Sequence, residues 1–221
     1  MASLSLQPRI VRWIAPACFL LIFLLMFFPW VGMYYGSYTV VRQLGVGVAF
    51  GAYDGPDGKE SLDADQRPGV APFALLYFLF ILASMGLSAA LVVMTVAPHV
   101  IPPEIAQKIL PWRSLALAGL SLLTLLCLLP YVVFRTPLES NVLARAEKDR
   151  EAAINKAKES DKAAVTAKAA REYGIVKNSL QRRLYFRLVI VLNFLAVLGA
   201  LADLWLEKRP GQPLPRATLE W

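Results

Sequence analysis

The sequence predicts an all-α membrane protein: a four-helix transmembrane bundle with a helical hairpin outside the membrane between spans 3 and 4. Of its 221 residues, 57% are hydrophobic and only 18% are charged, whereas about a quarter are charged in soluble domains. The apolar residues are concentrated in four runs, and about 20 such residues suffice to cross the hydrocarbon core. Because a helix satisfies its own backbone hydrogen bonds in lipid, we expect each run to be a helix.

The predicted spans are residues 13–33, 70–97, 114–134 and 188–206, uncharged except for Asp203. A Gly/Asp-rich loop at 34–69, a short Pro-rich loop at 98–113 and a charged segment at 135–187 separate them, and a polar tail follows at 207–221. The first run could also be a cleaved signal peptide, since two arginines precede it. We interpret it as a retained span, because it is longer than the apolar region of a typical signal and ends in large residues.

The first loop has two parts. Residues 34–53 are rich in Tyr, Val and Gly and could form a short β-hairpin packed on the membrane surface. Residues 54–69 are acidic and turn-rich, which raises the alternative of a Ca²⁺ site. The EF-hand spacing fails because Pro56 occupies the third position of the pattern. We therefore expect a solvated turn.

The charged segment at 135–187 predicts a helical hairpin. Thr136-Pro137-Leu138-Glu139 fits a capping box with proline at the first helical position, so a helix should begin there. The chain leaves the membrane after the third span and must return to the same side for the fourth, which a single straight rod cannot do unless it lies on the surface. The expected turn is at 159–161, between arms at 137–158 and 161–183.

Two alternatives remain open for this segment. It could instead be an amphipathic helix lying on anionic lipid. The second arm could also continue directly into the fourth span, with Gly174 as a kink. In either case the larger apolar residues recur every eleven positions, a spacing typical of a nearly straight or slightly right-handed packing seam. This candidate interaction seam consists of Leu143, Ile154, Val165 and Val176.

Two patterns of basic residues favour opposite orientations in the membrane. The first and third loops together hold sixteen Lys and Arg residues, against seven in the termini and second loop, which favours cytoplasmic loops. Arg9 and Arg12 directly before the first span favour the opposite arrangement. Because the first span usually dominates, we predict cytoplasmic termini.

Two polar residues of the fourth span are the candidate functional residues. Ionisable groups inside a span are costly and often functional, but Asp203 lies near the span's end, so we expect an interfacial residue near Lys208. Asn193, about three turns earlier, is expected to form an interhelical hydrogen bond. The alternative is that both residues face one polar track.

No other pattern in the sequence predicts catalysis, a cofactor or a metal site. His99 is the only histidine, which excludes a two-histidine metal site within one chain. Cys18 and Cys127 lie in apolar runs, where a thiol is usually a packing residue. The basic residues lie in the loops and beside the spans, which favours topology and lipid contact over nucleic-acid binding.

The sequence therefore favours a non-catalytic integral membrane subunit or scaffold. Its hairpin would assemble with another membrane protein or with a second copy of the chain, because a thin Ala-rich seam buries little area alone. The alternative is a small transporter or channel component with a polar track on the fourth span.

Overall fold

The structure is a computed structural model that describes residues 3–4, 8–55, 62, 66–96, 102, 104, 107, 110–208 and 217–218. The chain divides into two compact units. The helical unit comprises Met1–Leu24, Leu76–Leu128 and Val189–Trp221, and the mixed unit comprises Leu25–Leu75 and Leu129–Leu188. His99, most of the acidic segment at 54–69 and most of the loop at 98–109 lie outside the described residues.

Helices dominate the described chain. They are α1 (Pro8–Leu25), α2 (Gly45–Phe50), α3 (Pro72–Val96), α4 (Arg113–Val133), α5 (Pro137–Lys156), α6 (Lys162–Ser179) and α7 (Leu184–Lys208). Short 3-10 turns occupy Leu110–Trp112 and Glu159–Asp161. The strands are β1 (Ser3–Leu4), β2 (Pro29–Tyr35), β3 (Tyr38–Leu44), β4 (Leu180–Arg182) and β5 (Ala217–Thr218).

Among the described residues, three helical stretches are long and apolar enough to cross a membrane, in agreement with a mostly helical membrane protein. They are Pro72–Met94, Leu184–Lys208, and Arg113–Lys156, whose apolar part is α4. Ile10–Leu25 forms a shorter apolar helix. Large apolar side chains stay about half exposed on these helices, for example Leu20, Leu122 and Leu198. Such surfaces suit lipid, because in water this large apolar area would be exposed to solvent.

Within the helical unit, each long helix buries residues at alternating spacings of three and four. The buried residues are Val11, Ala15, Cys18, Phe19 and Ile22 of α1; Tyr77, Ile81, Ser84 and Ser88 of α3; Ser114, Leu117, Ala118, Ser121, Thr124, Cys127 and Leu128 of α4; and Val189, Asn193, Ala196, Ala200 and Asp203 of α7. This spacing keeps one stripe of a helix facing its neighbours. Gly199 brings α7 close to α1, since a Cβ there would overlap the side chain of Ile14.

The mixed unit contains a three-stranded antiparallel sheet in the order β3-β2-β4. β2 and β3 form a hairpin in which Tyr35 pairs with Tyr38. Gly36 has a φ of 60° in the two-residue turn, a conformation that glycine adopts without strain. β4 pairs with the other side of β2, with Val31 opposite Arg182. A β-hairpin is therefore present near the predicted position, but it spans 29–44 instead of 34–53. Gly45–Phe50, predicted as part of the hairpin, is helix α2, and β2 also pairs with a third strand from far along the chain.

The predicted first span at 13–33 is corrected by this sheet. α1 ends at Leu25, and Pro29–Tyr35 is a strand. Pro29 has no backbone N–H to continue the helix and disfavours helical geometry at Phe28. The carbonyl of Leu25 accepts bonds from the indole N–H of Trp30 at 3.0 Å and the backbone N–H of Phe28 at 3.2 Å. The free carbonyl at the helix end is thus satisfied without a further turn of helix.

The charged segment differs from the prediction at its C-terminal end. The capping box is confirmed: the backbone N–H of Thr136 donates to the Glu139 carboxylate at 2.7 Å, and the Glu139 N–H donates to the Thr136 hydroxyl at 3.4 Å. The 3-10 turn at Glu159–Asp161 lies where the sequence places the break between helices. α6, however, ends at Ser179 instead of continuing to residue 183 or into the last helix. The next element, β4, pairs with β2, so the mostly helical chain also contains a strand after α6 that the sequence did not predict.

The core of the mixed unit joins the sheet to α5. Its buried residues are Val31, Val41, Leu62, Leu138 and Val142, and Met33, Tyr53, Val176 and Leu180 pack against them. The first turns of α5 and the last turns of α6 are thereby fixed to the sheet through burial of apolar surface, the main stabilising contribution in such a core.

Candidate functional site

The first candidate residue, Asp203, lies in a polar cluster within the helical unit. The hydroxyl of Ser114 on α4 donates to Asp203 Oδ2 at 3.0 Å, and Arg12 Nε of α1 lies 3.8 Å from Oδ1. Asp203 is only 7% exposed, whereas the Arg12 side chain is about half exposed. The carboxylate therefore connects three helices. The expected neighbour Lys208 is not among its described partners; the charge comes from Arg12, close to the start of the chain.

A second ion pair lies one turn beyond Asp203 on α7. Arg113 Nε at the start of α4 is 3.8 Å from Glu207 Oε1, and both side chains are partly buried. At this separation the contact is electrostatic rather than a hydrogen bond. Together with the Asp203 cluster it holds one end of α7 against the first turn of α4.

The second candidate residue, Asn193, is completely buried and bonded across helices. Its Nδ2 donates to the hydroxyl oxygen of Tyr77 on α3 and to the carbonyl of Val189, each at 2.8 Å. The interhelical hydrogen bond expected for Asn193 is thus present. Its Oδ1 is buried without a hydrogen-bond partner among the described residues. Since the two candidates are ten residues apart at the three-four spacing, Asn193 and Asp203 lie on one buried stripe of α7.

The remaining buried hydroxyls of the stripes bond to their own helices. Ser84 donates to Phe80 O, Ser88 to Ser84 O, Ser121 to Leu117 O and Thr124 to Ser121 O, at 2.6–2.8 Å. Such local bonds satisfy polar side chains inside a helical packing without any ligand. Among the described residues no group of three His, Cys, Asp or Glu side chains is placed to hold a metal ion.

The predicted interaction seam is divided by the structure. Leu143 is 6% exposed, and Val176 packs on the core of the mixed unit. Ile154 and Val165 are half-buried and lie farther from the sheet along α5 and α6. The two ends of the seam therefore have different surroundings: one belongs to an internal core, and the other is partly open.

A cleft of about 350 Å³ lies where α5 and α6 meet the sheet of the mixed unit. Its polar lining includes two arginines, each already paired: Arg145 Nε is 3.2 Å from Asp149 Oδ2, and Arg150 Nη2 is 2.5 Å from Glu147 Oε1. The Arg150 guanidinium also lies 5.4 Å from the centre of the Tyr173 ring, a cation–π contact. The cleft has an apolar floor and a balanced charge, without a nucleophile next to a base.

The buried ion pair of the mixed unit was not predicted. Arg182 Nε of β4 lies 3.0 Å from Glu139 Oε1 and Nη2 lies 3.1 Å from Oε2, a two-point geometry. Arg182 also donates to the carbonyls of Val132 and Phe134 at the end of α4. The capping box identified Glu139 as a helix-start residue, but no local signal linked it to an arginine 43 residues later.

Comparison with protein-family models, curated proteins and solved structures finds no match to this chain.

Proposed function

We propose that the protein is a non-catalytic membrane scaffold that presents the far part of the α5–α6 hairpin, residues 151–172, to another membrane protein or a second copy. In this proposal α1 joins the three longer apolar helices as a fourth span, and the termini lie in the cytoplasm. The far part of the hairpin is the recognition element, and the sheet holds the other end of the hairpin in place.

The observation that carries the proposal is the contrast between the two ends of this hairpin. Near the sheet, Leu138 and Val142 are buried in the core and Glu139 is held by Arg182. In the far part nearly all residues are exposed, including six alanines: Ala152, Ala153, Ala163, Ala164, Ala167 and Ala170. A hairpin that is packed against the sheet at one end and exposed at the other favours a role in binding a partner protein through its exposed end.

Local interactions favour helix formation in the far part. Alanine, lysine, glutamate and arginine are strong helix formers. Ion pairs such as Lys168–Glu172, one turn apart at 4.0 Å, add a few tenths of a kcal/mol each. Ile154 and Val165 are only half-buried, so a partner can cover their remaining apolar surface while both helices stay folded.

The test is a truncation that spares the core. Residues 152–168 are replaced by a four-residue Gly/Asn turn, which can bridge neighbouring helices about 8–10 Å apart. The variant and the intact chain are expressed at equal levels, extracted gently and compared by native gel electrophoresis and light scattering. We expect the intact chain to migrate as a complex and the truncated chain, still membrane-inserted, to migrate as a monomer.

The matched control is Tyr38→Ser, which removes an exposed aromatic side chain at the start of β3, directly after the β2–β3 turn. The complex should survive this change. The proposal would be refuted if the truncated variant still migrated as a complex that differed from the intact complex only by the mass of the deleted residues. Loss of the complex in Tyr38→Ser alone would move the recognition element to the first loop.

A transporter or channel component is the second candidate, favoured by one observation. Asn193 and Asp203 lie on the same buried stripe of α7, and Asn193 Oδ1 has no described partner. A conducting stripe would admit water. Cysteine substitutions at Ala196 and Ala200, in a variant with Cys18 and Cys127 replaced by alanine, would then react with a membrane-impermeant thiol reagent. The scaffold proposal expects no reaction at either position.

A further inference from the structure

We propose that the open pocket at the junction of α4 and α5 binds the phosphate group of an anionic phospholipid. The pocket has a volume of about 540 Å³ and is lined by Val133, Phe134, Arg135, Ser140 and Arg182. All five residues belong to the mixed unit. The site combines an arginine that has no ion-pair partner among the described residues, two further hydrogen-bond donors and an exposed apolar rim at the end of a helix of membrane-spanning length.

The positive charge of the pocket comes from Arg135. The Arg182 guanidinium is compensated by the Glu139 carboxylate at 3.0 Å. Arg135 is exposed and has no ion-pair partner within the described part of the chain. One full positive charge therefore remains at the pocket, and a guanidinium can bind two phosphate oxygens at once.

A count of N–H groups gives the second donor. Arginine carries five N–H groups. In Arg182, Nε and Nη2 bond to Glu139, Nη2 also bonds to Phe134 O, and Nη1 donates to Val132 O at 3.2 Å. These contacts use four of the five groups and leave one N–H of Nη1. Ser140, which is exposed on the first turns of α5, adds a hydroxyl donor.

The rim of the pocket favours a lipid over a free phosphate ion. Val133 is 69% exposed and Phe134 is 70% exposed; Val133 is the last residue of the apolar helix α4, and Phe134 directly follows it. Acyl chains would cover these side chains while the phosphate reaches Arg135. Arg187 is also exposed in this unit, at the start of α7. Basic residues next to membrane helices attract anionic headgroups in this way.

The experiment measures lipid binding to the full chain in a mild non-ionic detergent by native mass spectrometry. Dioleoylphosphatidylglycerol and dioleoylphosphatidylcholine are titrated separately. We expect the wild type to bind phosphatidylglycerol about fivefold more tightly, the worth of one basic residue near an anionic surface. Arg135→Gln should remove that preference. The matched control Arg171→Gln deletes an exposed arginine on α6 and should keep it.

Three results would overturn the proposal. The first is equal binding of the two lipids by the wild type, and the second is an equal loss in Arg135→Gln and Arg171→Gln. The third is complete displacement of phosphatidylglycerol by excess inorganic phosphate, which would make a free anion the ligand. Phe134→Ser provides a test that does not depend on the arginine variants: it should weaken phosphatidylglycerol binding, and unchanged binding would exclude contact between the lipid and the rim.

Discussion

Replacing Arg182 by methionine tests whether the ion pair with Glu139 holds the sheet to the end of α4. Methionine keeps an apolar stem of similar length but removes every hydrogen bond that the guanidinium makes. The Glu139 carboxylate then keeps only the N–H of Thr136, and the carbonyls of Val132 and Phe134 lose a donor. A buried charge would be left without its counter-charge.

The expected loss of stability follows from burial. Removing one partner of a fully buried ion pair costs about 3–5 kcal/mol. Here the Glu139 side chain is 10% exposed and the Arg182 side chain 26%, so water can partly replace the lost contacts. We therefore expect a loss of about 2–3 kcal/mol. For a chain of this size that lowers the melting temperature by about 5–10 °C.

A double-mutant cycle separates the pair from its surroundings. Glu139→Gln retains an acceptor for the Thr136 N–H and leaves no buried carboxylate. The double variant Glu139→Gln/Arg182→Met should therefore be more stable than the sum of the single losses predicts, by about 1–3 kcal/mol. Thermal unfolding in one detergent gives the stabilities. Hydrogen exchange of the β4 amides reports whether the strand opens first, as we expect.

The control for this cycle is Arg171→Met, which removes an exposed arginine of α6 and should change stability by less than about 0.5 kcal/mol. The reasoning would be refuted if Arg182→Met had the same melting temperature as this control. It would also be refuted if the two single losses added without coupling, because the carboxylate and the guanidinium would then not depend on each other.

Two further changes test the packing by thermal unfolding. Gly45→Ala should destabilise the protein by about 1–3 kcal/mol, because the new Cβ would overlap the Trp30 indole. Gly174→Ala, in open space on α6, should stabilise it by about 0.5–1 kcal/mol; equal effects would contradict the packing. Asn193→Leu should change stability by less than about 1 kcal/mol, since it removes one modest interhelical bond together with an acceptor that has no partner among the described residues. A loss above about 2 kcal/mol would contradict this expectation.

Part of the candidate site could be predicted because helical spacing is periodic. A separation of ten residues places Asn193 and Asp203 on one face, and the structure has both on the buried stripe of α7. Their partners could not be predicted. Ser114 and Tyr77 lie on other helices, and Arg12 is almost the full length of the chain away from Asp203. Nothing in the sequence near either polar residue specifies which helix it meets.

By itself the sequence determined the features that depend on neighbouring residues. The apolar runs, the capping box at Thr136 and the break at 159–161 follow from hydrophobicity, local hydrogen bonds and helix propensity. Only the tertiary structure decided where α1 ends, that Leu180–Arg182 is a strand, and that Arg182 binds Glu139. The physical reason is that strand pairing and buried ion pairs are bonds between distant segments. A short segment such as β4 has no intrinsic preference strong enough to predict its partner.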